Sequence, residues 1–413
     1  MSPWLGVVAD DFTGATDLAG MLVREGLRTV QFFGVPPEDA VIPDVDCLVV
    51  ALKSRACPVD EAVRDSLAAA RWLAAQGIEK FFFKYCSTFD STPQGNIGPV
   101  AEALAAEVGS AMTLICPAAI ENRRTIYGGN LFVGGVPLAE SPMKDHPLNP
   151  MWDSNLPRLF EAQSNSKVGL VPWETVQEGS AAITAAIDDL AQDGNSFVVT
   201  DALTADDLVA IADATSPLKL VSGAAGLGVG IARVRVGADR PDAADVSVPA
   251  GPAVALSGSC STATQGQVAL HKADHPAYEI DVYRLDAGEP VVAEAIQFIQ
   301  ENLEDIPLVY SSASPDVVDK IQADLGVERS AQLVEAAFAE IAKACAAAGV
   351  RRFVIAGGET SGAIVSALGV RAIQIGREVD PGVPWTVSLG EPALGLLLKS
   401  GNFGAPDIFT KAL

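Results

Sequence analysis

The stretch from Phe353 to Leu368 constrains the fold more than any other part of the sequence. An apolar run that includes β-branched residues, 353–356, leads into Gly357-Gly358-Glu359-Thr360-Ser361-Gly362, and small and aliphatic residues at helical spacing follow. This order predicts a strand, a tight turn and a helix. Two adjacent glycines let the backbone approach a ligand closely, because no Cβ stands in the way. We therefore expect an α/β sheet with a ligand site at the carboxyl end of this strand.

The start of the predicted helix suits a phosphate group. Thr360 and Ser361 are expected to cap the helix, and the free N–H groups of its first turn point towards one spot. Glycines also occur at strand ends of α/β proteins that bind no phosphate, so this loop alone leaves both interpretations open. Glu359 would repel a phosphate unless a metal ion lies between them, which indicates either Mg²⁺ or a structural cap.

The composition limits the class of protein and its partners. A chain of 413 residues is long enough for two domains, and 49% hydrophobic with 19% charged residues argues for folded globular structure. Its 52 acidic and 28 basic side chains give a net charge of −24. This excess argues against a nucleic acid or an anionic membrane as partner. An anionic substrate then needs a local pocket of Lys and Arg.

The cysteines and histidines indicate neither a metal site nor a disulfide framework. Six cysteines are scattered without CxxC or CxxH spacing, and three histidines are too few for a metal-binding His cluster. The first residues show no signal-type apolar run, and no stretch approaches ~18 uninterrupted apolar residues. These features predict a soluble protein of the reducing cytoplasm.

Strand and helix patterns alternate through the first half of the chain. This alternation predicts a mostly parallel sheet flanked by helices. Strands are predicted at 4–9, 29–33, 46–52 and 79–84, with helices over about 15–25 and 60–76.

Carboxylates cluster where the first predicted strand ends. Asp10, Asp11 and Asp17 accompany Thr13 there, and a helix cap needs only one of them. Because α/β sites lie at the carboxyl ends of strands, we expect a functional role for Asp10 or Asp11.

Three further stretches of the first half carry chemically useful side chains. Lys84 ends an aromatic strand and leads into a loop that contains Asp90 and Ser91, although a surface loop with a partly buried lysine would look the same. Adjacent Arg123 and Arg124 suit a carboxylate ligand, but an exposed arginine pair is often only solvated. The Gly- and Pro-rich stretch 127–150 is expected to form a long loop or lid.

The middle of the chain contains one glycine-rich stretch and one stretch that resembles a linker. The glycines of 223–230 resemble a dinucleotide fingerprint, but no acidic residue ends a second strand at the right distance, and close helix packing explains them as well. The stretch 237–252 has linker composition. We therefore predict domains over 1–236 and 253–413, joined by this linker.

The second predicted domain repeats the pattern of strand, small polar turn and helix. Ser257-Gly258-Ser259 follows a strand at 253–256, and Gly401 and Gly404 follow an apolar run at 396–398. Two such turns in one parallel sheet suit the two ends of a triphosphate. A Walker A sequence is absent, so the chain is not a P-loop enzyme.

Together these residues resemble the four-carbon acid sugar kinase family. The resemblance rests on four motifs in order across nearly the whole chain: residues 9–17 (ADDFTGATD), 257–259 (SGS), 357–362 (GGETSG) and 399–404 (KSGNFG). In that family an amino-terminal domain binds the sugar acid and a carboxyl-terminal domain binds ATP. The resemblance thus implies two α/β domains with mostly parallel sheets and an active site in the cleft between them.

The loop after Lys84 departs from the commoner family pattern. That pattern places Asp-Ser-Thr shortly after the lysine and an arginine before the glycine, whereas Asp90 comes six residues after Lys84 here and Gln94 replaces the arginine. This longer form looks like the 3-oxo-tetronate kinase branch. The implied reaction is ATP-dependent phosphorylation of the terminal C4 hydroxyl of 3-oxo-tetronate, with D-threonate or D-erythronate as alternative substrates.

The resemblance also implies roles for individual residues, with Mg²⁺ and ATP as cofactors. Asp11 or Asp10 would be the base, Lys84, Arg123 or Arg124 would hold the substrate carboxylate, and Asp90 and Ser91 would bind other substrate oxygens. The residues expected at the nucleotide are Ser257, Ser259, Gly357, Gly358, Glu359, Thr360, Gly401 and Gly404, with Mg²⁺ offsetting the charge of Glu359.

Two other classes of protein remain as alternatives at this point. One is a non-catalytic two-domain sensor of small acids, and the other is a dinucleotide-dependent oxidoreductase built on 223–230. A homodimer is compatible with the sequence, which does not fix the oligomeric state.

Overall fold

The computed structural model describes residues 3–145, 149–238 and 241–413. Contacts divide the chain into an amino-terminal unit, Met1–Ala243, and a carboxyl-terminal unit, Ala244–Leu413. Their boundary falls within the stretch 237–252, of which residues 239 and 240 lie outside the described part of the chain.

The amino-terminal unit consists of strands that alternate with helices. Its strands are β1 (Leu5–Ala9), β2 (Thr29–Phe33), β3 (Cys47–Ala51), β4 (Lys80–Lys84), β5 (Thr113–Cys116), β6 (Arg124–Tyr127), β7 (Asn130–Val133), β8 (Val136–Pro137), β9 (Val168–Val171), β10 (Phe197–Thr200) and β11 (Leu220–Gly223). Its helices are α1 (Phe12–Arg24), α2 (Val59–Ala75), α3 (Ile97–Val108), α4 (Leu156–Glu161), α5 (Trp173–Gln177), α6 (Ser180–Gln192), α7 (Ala205–Ala214) and α8 (Ala225–Val236).

Eight of these strands form one parallel sheet. Their order is β2-β3-β1-β4-β11-β5-β10-β9, and every described pairing between them is parallel. The central strands are fully buried and, apart from the lysines at the two ends of β4, apolar, as expected for a sheet with helices on both faces. Because β1 lies between β3 and β4, the residues that follow these three strands meet at one edge of the sheet.

The expectation of a long loop over 127–150 is wrong for most of this stretch. Strands β6, β7 and β8 form an antiparallel sheet, with Tyr127 opposite Asn130 and Val133 opposite Val136. Both hairpins turn on glycine pairs with positive φ, Gly128-Gly129 and then Gly134-Gly135. Gly-Gly between short apolar runs is a hairpin signal that the sequence contained. Residues 146–148 of this stretch lie outside the described part of the chain.

The carboxyl-terminal unit has a mixed sheet. Its strands are β12 (Ala253–Ser257), β13 (Ala277–Glu279), β14 (Leu308–Tyr310), β15 (Arg352–Ala356), β16 (Ala372–Asp380), β17 (Val383–Ser388) and β18 (Gly395–Lys399). Its helices are α9 (Thr262–Asp274), α10 (Val282–Asp286), α11 (Val291–Glu301), α12 (Pro315–Leu325), α13 (Val327–Ala347), α14 (Gly358–Ala367) and α15 (Ile408–Ala412).

Five strands of this second sheet, β13-β14-β12-β15-β18, are parallel, and β17 and β16 continue it in antiparallel fashion. Its core is formed by buried residues such as Ala255, Val354 and Leu397 on adjacent strands, together with Phe409 of α15. The predicted class, two α/β domains with mostly parallel sheets flanked by helices, is confirmed. Strands β12, β15 and β18 are neighbours, so the three glycine-containing turns that follow them emerge side by side.

Candidate functional site

Asp11 is the residue that starts helix α1. It lies in extended conformation at φ −148° and ψ 158°, and its Oδ1 accepts the backbone N–H of Gly14 at 3.0 Å. The helix therefore begins at Phe12, three residues before the predicted start. One carboxylate oxygen of Asp11 is thus used as a helix cap.

Arg55 holds both aspartates and was missed by the sequence analysis. Its Nε donates to Asp10 Oδ2 at 2.9 Å, and its Nη2 donates to Asp10 Oδ1 and to Asp11 Oδ1, each at 2.8 Å. Asp10 is only 5% exposed, and burial raises its pKa while Arg55 acts in the opposite direction. The available signal was a basic residue soon after strand β3 in so acidic a chain.

The backbone around Arg55 is fixed from two sides. The N–H groups of Ser54 and Arg55 donate to the backbone oxygen of Asp10 at 3.0 and 3.2 Å. The buried amide of Asn96, Nδ2, donates to the carbonyl oxygens of Ser54 at 2.7 Å and of Cys57 at 2.9 Å. These bonds order the loop before any ligand arrives.

Lys84 lies beside the same carboxylates. It is 3% exposed, and its Nζ donates to the backbone oxygen of Tyr85 at 2.9 Å. A Cβ added at Gly14 would lie 3.0 Å from Lys84 Nζ and 2.3 Å from Asp11 Oδ1, so only glycine leaves room there. Burial raises the pKa of Asp17 on α1, and the positive charge of Lys84 opposes this rise.

The loop after Lys84 fixes Asp90 and Ser91 differently. Thr88 Oγ1 donates to Asp90 Oδ1 at 2.6 Å, and buried Phe89 adopts a positive φ of 50° between them. The Ser91 hydroxyl donates to Gln163 Oε1 at 2.7 Å and is 1% exposed. Asp90 therefore keeps a carboxylate oxygen for a ligand, whereas Ser91 contributes its hydroxyl to the packing of the loop.

Arg123 and Arg124 lie at the start of the small antiparallel sheet. Arg123 has a φ of 58°, and its Nη2 donates to Gly134 O at 3.0 Å. Arg124 Nη1 donates to the backbone oxygen of Asn122, and its buried Nε has no hydrogen-bond partner among the described residues. In the described part of the chain, neither arginine forms an ion pair with Asp10 or Asp11.

The turns after β12 and β15 of the carboxyl-terminal unit are packed against each other. Gly258 N donates to Ala356 O at 3.0 Å, and Gly357 N donates to Lys399 O at 3.0 Å. A Cβ added at Gly258 would lie 2.1 Å from Thr360 Oγ1, so these turns meet only because Gly258 has no side chain.

The turn after β18 joins the same cluster through Gly401. Its carbonyl oxygen accepts from Ser261 Oγ at 2.6 Å and from Thr264 Oγ1 at 2.7 Å. A Cβ added at Gly401 would lie 2.5 Å from Ser259 Oγ. Lys399 is 1% exposed, its Nζ donates to Thr264 Oγ1 at 2.9 Å, and burial lowers its pKa to about 8.

Helix α14 begins without a side-chain cap. Its N-cap is Gly357 at φ 119°, so the expectation that Thr360 and Ser361 cap the helix is wrong. Both lie inside its first turns, and the Oγ1 atom of Thr360 packs against Gly258. The first N–H groups of α14 therefore remain available to an anion, and exposed Glu359 lies beside them.

Two other residues predicted at the nucleotide have structural contacts. Ser257 is fully buried, and its hydroxyl pairs with that of Ser312 at 2.9 Å. Gly404 turns the chain at φ 85° next to Ile408. Of the predicted set, the structure thus brings together Ser259, Gly357, Gly358, Glu359, Thr360 and Gly401, with Gly258, Lys399 and Thr264 as additional members.

Comparison with known proteins decides the family. A family model described as a sugar-binding N-terminal domain matches residues 5–231, and one described as a nucleotide-binding C-terminal domain matches residues 254–409. A Burkholderia multivorans protein named 3-oxo-tetronate kinase is 52% identical over 100% of this chain and 97% of its own length. The chain belongs to the four-carbon acid sugar kinase family.

Other relatives are also similar to this four-carbon acid sugar kinase over nearly the full length of the chain. A 3-oxo-tetronate kinase of Pseudomonas savastanoi pv. phaseolicola is 51% identical over 100% of this chain and 97% of its own length. The crystal structure of a Haemophilus influenzae protein is 42% identical, covers 98% of both chains and superposes with a TM-score of 0.89. The resemblance inferred from the four motifs is confirmed.

The glycines of 223–230 let the end of β11 and helix α8 of the kinase pack closely against neighbouring backbone. A Cβ would lie 2.1 Å from Cys116 O at Gly223, 2.5 Å from Ala118 O at Gly226 and 2.2 Å from Leu208 O at Gly230. These glycines thus have the packing role that the sequence offered as the alternative to a dinucleotide fingerprint.

The described residues contain neither a ready-made metal cluster nor a helix that could span a membrane. Within residues 3–145, 149–238 and 241–413, no group of three or more His, Cys, Asp or Glu side chains is arranged to hold a metal ion. All six cysteines are free thiols. No helix in these ranges combines the length and apolar character needed to cross a bilayer.

Proposed function

We propose that the chain uses ATP to phosphorylate the C4 hydroxyl of 3-oxo-tetronate, giving 3-oxo-tetronate 4-phosphate. The observation that carries this proposal is the uncapped amino terminus of α14, held by glycine contacts against the turns that follow β12 and β18. Such a group of backbone N–H donors suits a polyphosphate. The names of the relatives supply the acid substrate.

Asp11 is the better candidate for the base. Both oxygens of Asp10 accept hydrogen bonds from Arg55, and Asp11 Oδ1 accepts from Gly14 and Arg55. Oδ2 of Asp11 has no partner among the described residues. It is therefore the carboxylate oxygen that can accept the proton of the attacking hydroxyl.

Substrate binding is assigned to cations and to one carboxylate of the amino-terminal unit. Lys84, beside Asp11, offsets the negative charge of the sugar acid, and Arg123 or Arg124 holds the substrate carboxylate. Asp90, oriented by Thr88, accepts from a substrate hydroxyl. Ser91 supports this loop through Gln163.

The nucleotide phosphates are assigned to Ser259, Gly357, Gly358, Thr360 and Gly401. Mg²⁺ in kinases is commonly held by one or two carboxylates together with the phosphates, so a preformed cluster of acidic side chains is not needed. Glu359, exposed in the first turn of α14, fits that single carboxylate. When bound, the metal would neutralise phosphate charge.

A coupled ADP-release assay tests the proposal. Purified protein with ATP and Mg²⁺ is given 3-oxo-tetronate, D-threonate and D-erythronate separately, and the product is located by ³¹P NMR. We expect the highest kcat/KM for the 3-oxo acid and phosphate on C4. Faster turnover of either 3-hydroxy acid would assign the chain to another branch of the family. If none of the three acids supported ADP release, a four-carbon substrate would be contradicted.

A further inference from the structure

Arg55 has hydrogen-bonding capacity beyond what the two aspartates use. A guanidinium carries five N–H donors. The Nε donor and the two Nη2 donors are directed at Asp10 and Asp11, whereas the Nη1 donors have no partner among the described residues. The side chain as a whole is 26% exposed, so Arg55 is not sealed in the core.

The free edge of Arg55, its Nη1 group, is also held in place before a substrate binds. Its planar fork is fixed by two oxygens of Asp10, and its backbone is fixed by Asp10 O and by the amide of Asn96 through the adjacent carbonyls. A donor held in this way loses little conformational entropy when it binds a ligand atom. Nη1 lies on the same guanidinium as the Nη2 that contacts Asp11.

We propose that Arg55 determines the preference for a 3-oxo acid, with Nη1 donating to the C3 carbonyl oxygen while Asp11 Oδ2 accepts from the C4 hydroxyl. This inference rests on the proposed function. Arg55 and Asp11 are hydrogen-bonded to each other, and in this arrangement they bind neighbouring carbons of the substrate. Arg55 donates to the oxygen on C3, and Asp11 accepts from the hydroxyl on C4. The arginine bond is charge-assisted and therefore stronger than a neutral one.

The same arrangement disfavours a hydroxyl at C3. A hydroxyl brings a proton that needs an acceptor, and Arg55 and Lys84 offer none. Both oxygens of Asp10 are already used by Arg55. Asp11 Oδ2 is assigned to the C4 hydroxyl, and Asp90 is assigned to the only other hydroxyl of the 3-oxo acid, at C2. A 3-hydroxy acid would therefore leave a donor unsatisfied in the site, and sites built around specific hydrogen bonds discriminate strongly against such mismatches.

The test compares Arg55→Lys with the unmodified protein. Lysine keeps the positive charge beside Asp10 but has a single nitrogen, so it cannot hold Asp10 and also reach C3. We expect the ratio of kcat/KM for 3-oxo-tetronate over that for D-erythronate to fall by at least ~10-fold, the scale of one lost polar contact. Arg71→Lys is the matched control, because Arg71 also holds a carboxylate through two nitrogens, that of Glu107, on an exposed surface. This control should leave the ratio unchanged.

A second measurement on the unmodified protein covers the case in which Arg55→Lys does not fold. An analogue of the acid with a CH₂ group at C3 should bind at least ~10-fold more weakly than the 3-oxo acid in calorimetry. Equal losses on both acids in Arg55→Lys, or equal affinity for the CH₂ analogue, would overturn the role of Arg55. Failure of the unmodified protein to phosphorylate any four-carbon acid would instead overturn the proposed function.

Discussion

At the residue scale, Asp11 has a structural role as a helix cap and, in the proposed function, a chemical role as the base. Its Oδ1 caps α1 and accepts from Arg55, while its Oδ2 has no hydrogen-bond partner among the described residues. Asparagine caps helices about as well as aspartate, so Asp11→Asn removes the base and keeps the cap. We expect kcat to fall by at least ~10²-fold, the usual scale for a general base, with little change in the affinity for ATP.

The measurement is steady-state kinetics together with nucleotide calorimetry. Asp65→Asn serves as control, since Asp65 pairs with Arg64 on the exposed face of α2. An unchanged kcat in Asp11→Asn would remove Asp11 from the role of base.

Lys399 gives a prediction about pH and stability. Burial lowers its folded-state pKa from 10.5 to about 8, so between these values the unfolded chain binds more protons than the folded one. The contribution of Lys399 to the free energy of unfolding must therefore rise as the pH rises from about 8 to 10.5. Lys399→Met should lose this rise.

The quantity to compare is the difference in the free energy of unfolding between the unmodified protein and Lys399→Met. Burial raises the pKa of the Cys116 and Cys345 thiols, which favours unfolding at the same alkaline pH, and Lys80 has a pKa lowered to about 8 as well. Urea unfolding of both proteins at pH 7, 8, 9 and 10 isolates the contribution of Lys399. A difference that stays constant over this range would show that the buried amine keeps its ordinary pKa.

At the scale of elements, the proposed nucleotide site depends on how closely the turns after β12, β15 and β18 approach one another. A methyl group at Gly258 would lie 2.1 Å from Thr360 Oγ1 and would push the turn after β12 away from α14. Overpacking of this kind typically costs about 1–3 kcal/mol. If overpacking destabilises the ATP-bound arrangement of the turns by this amount, Gly258→Ala should raise the KM for ATP by roughly tenfold. The KM for the acid should stay nearly unchanged.

Gly266→Ala is the control for this experiment. Gly266 lies within α9, and a Cβ there meets nothing within 4 Å. Alanine should leave both KM values alone and stabilise the helix by up to about 1 kcal/mol. If Gly258→Ala changed only the KM for the acid, the assignment of ATP to the carboxyl-terminal unit would be reversed.

At the scale of the whole molecule, ligand binding separates the three classes of function raised by the sequence. A ligand that binds only the folded state stabilises it by about 2.7 kcal/mol at 100 times its Kd. ATP with Mg²⁺ should therefore raise the Tm on the order of 5 °C, whereas NADH should not change it. A response to NADH with none to ATP would favour the oxidoreductase, and a response to small acids with none to ATP would favour the sensor. A net charge of −24 predicts that neither DNA nor RNA gives a shift.

The sequence alone determined the fold class, the position of most strands and helices, and the residues that stand at strand ends. These features depend on local patterns, such as the apolar run before Gly357 or the alternation through the first half of the chain. The family resemblance likewise came from short motifs that need no knowledge of contacts.

Only the tertiary structure decided which atoms of those residues remain available. Arg55 meets Asp10 across 45 residues, Ser91 meets Gln163 across 72, and Lys399 meets Thr264 across 135. Such pairs depend on strand order and on how closely glycines let two turns approach, neither of which leaves a local trace in the sequence. The proposal of Asp11 rather than Asp10 as base rests on such contacts, because both oxygens of Asp10 already accept hydrogen bonds from Arg55.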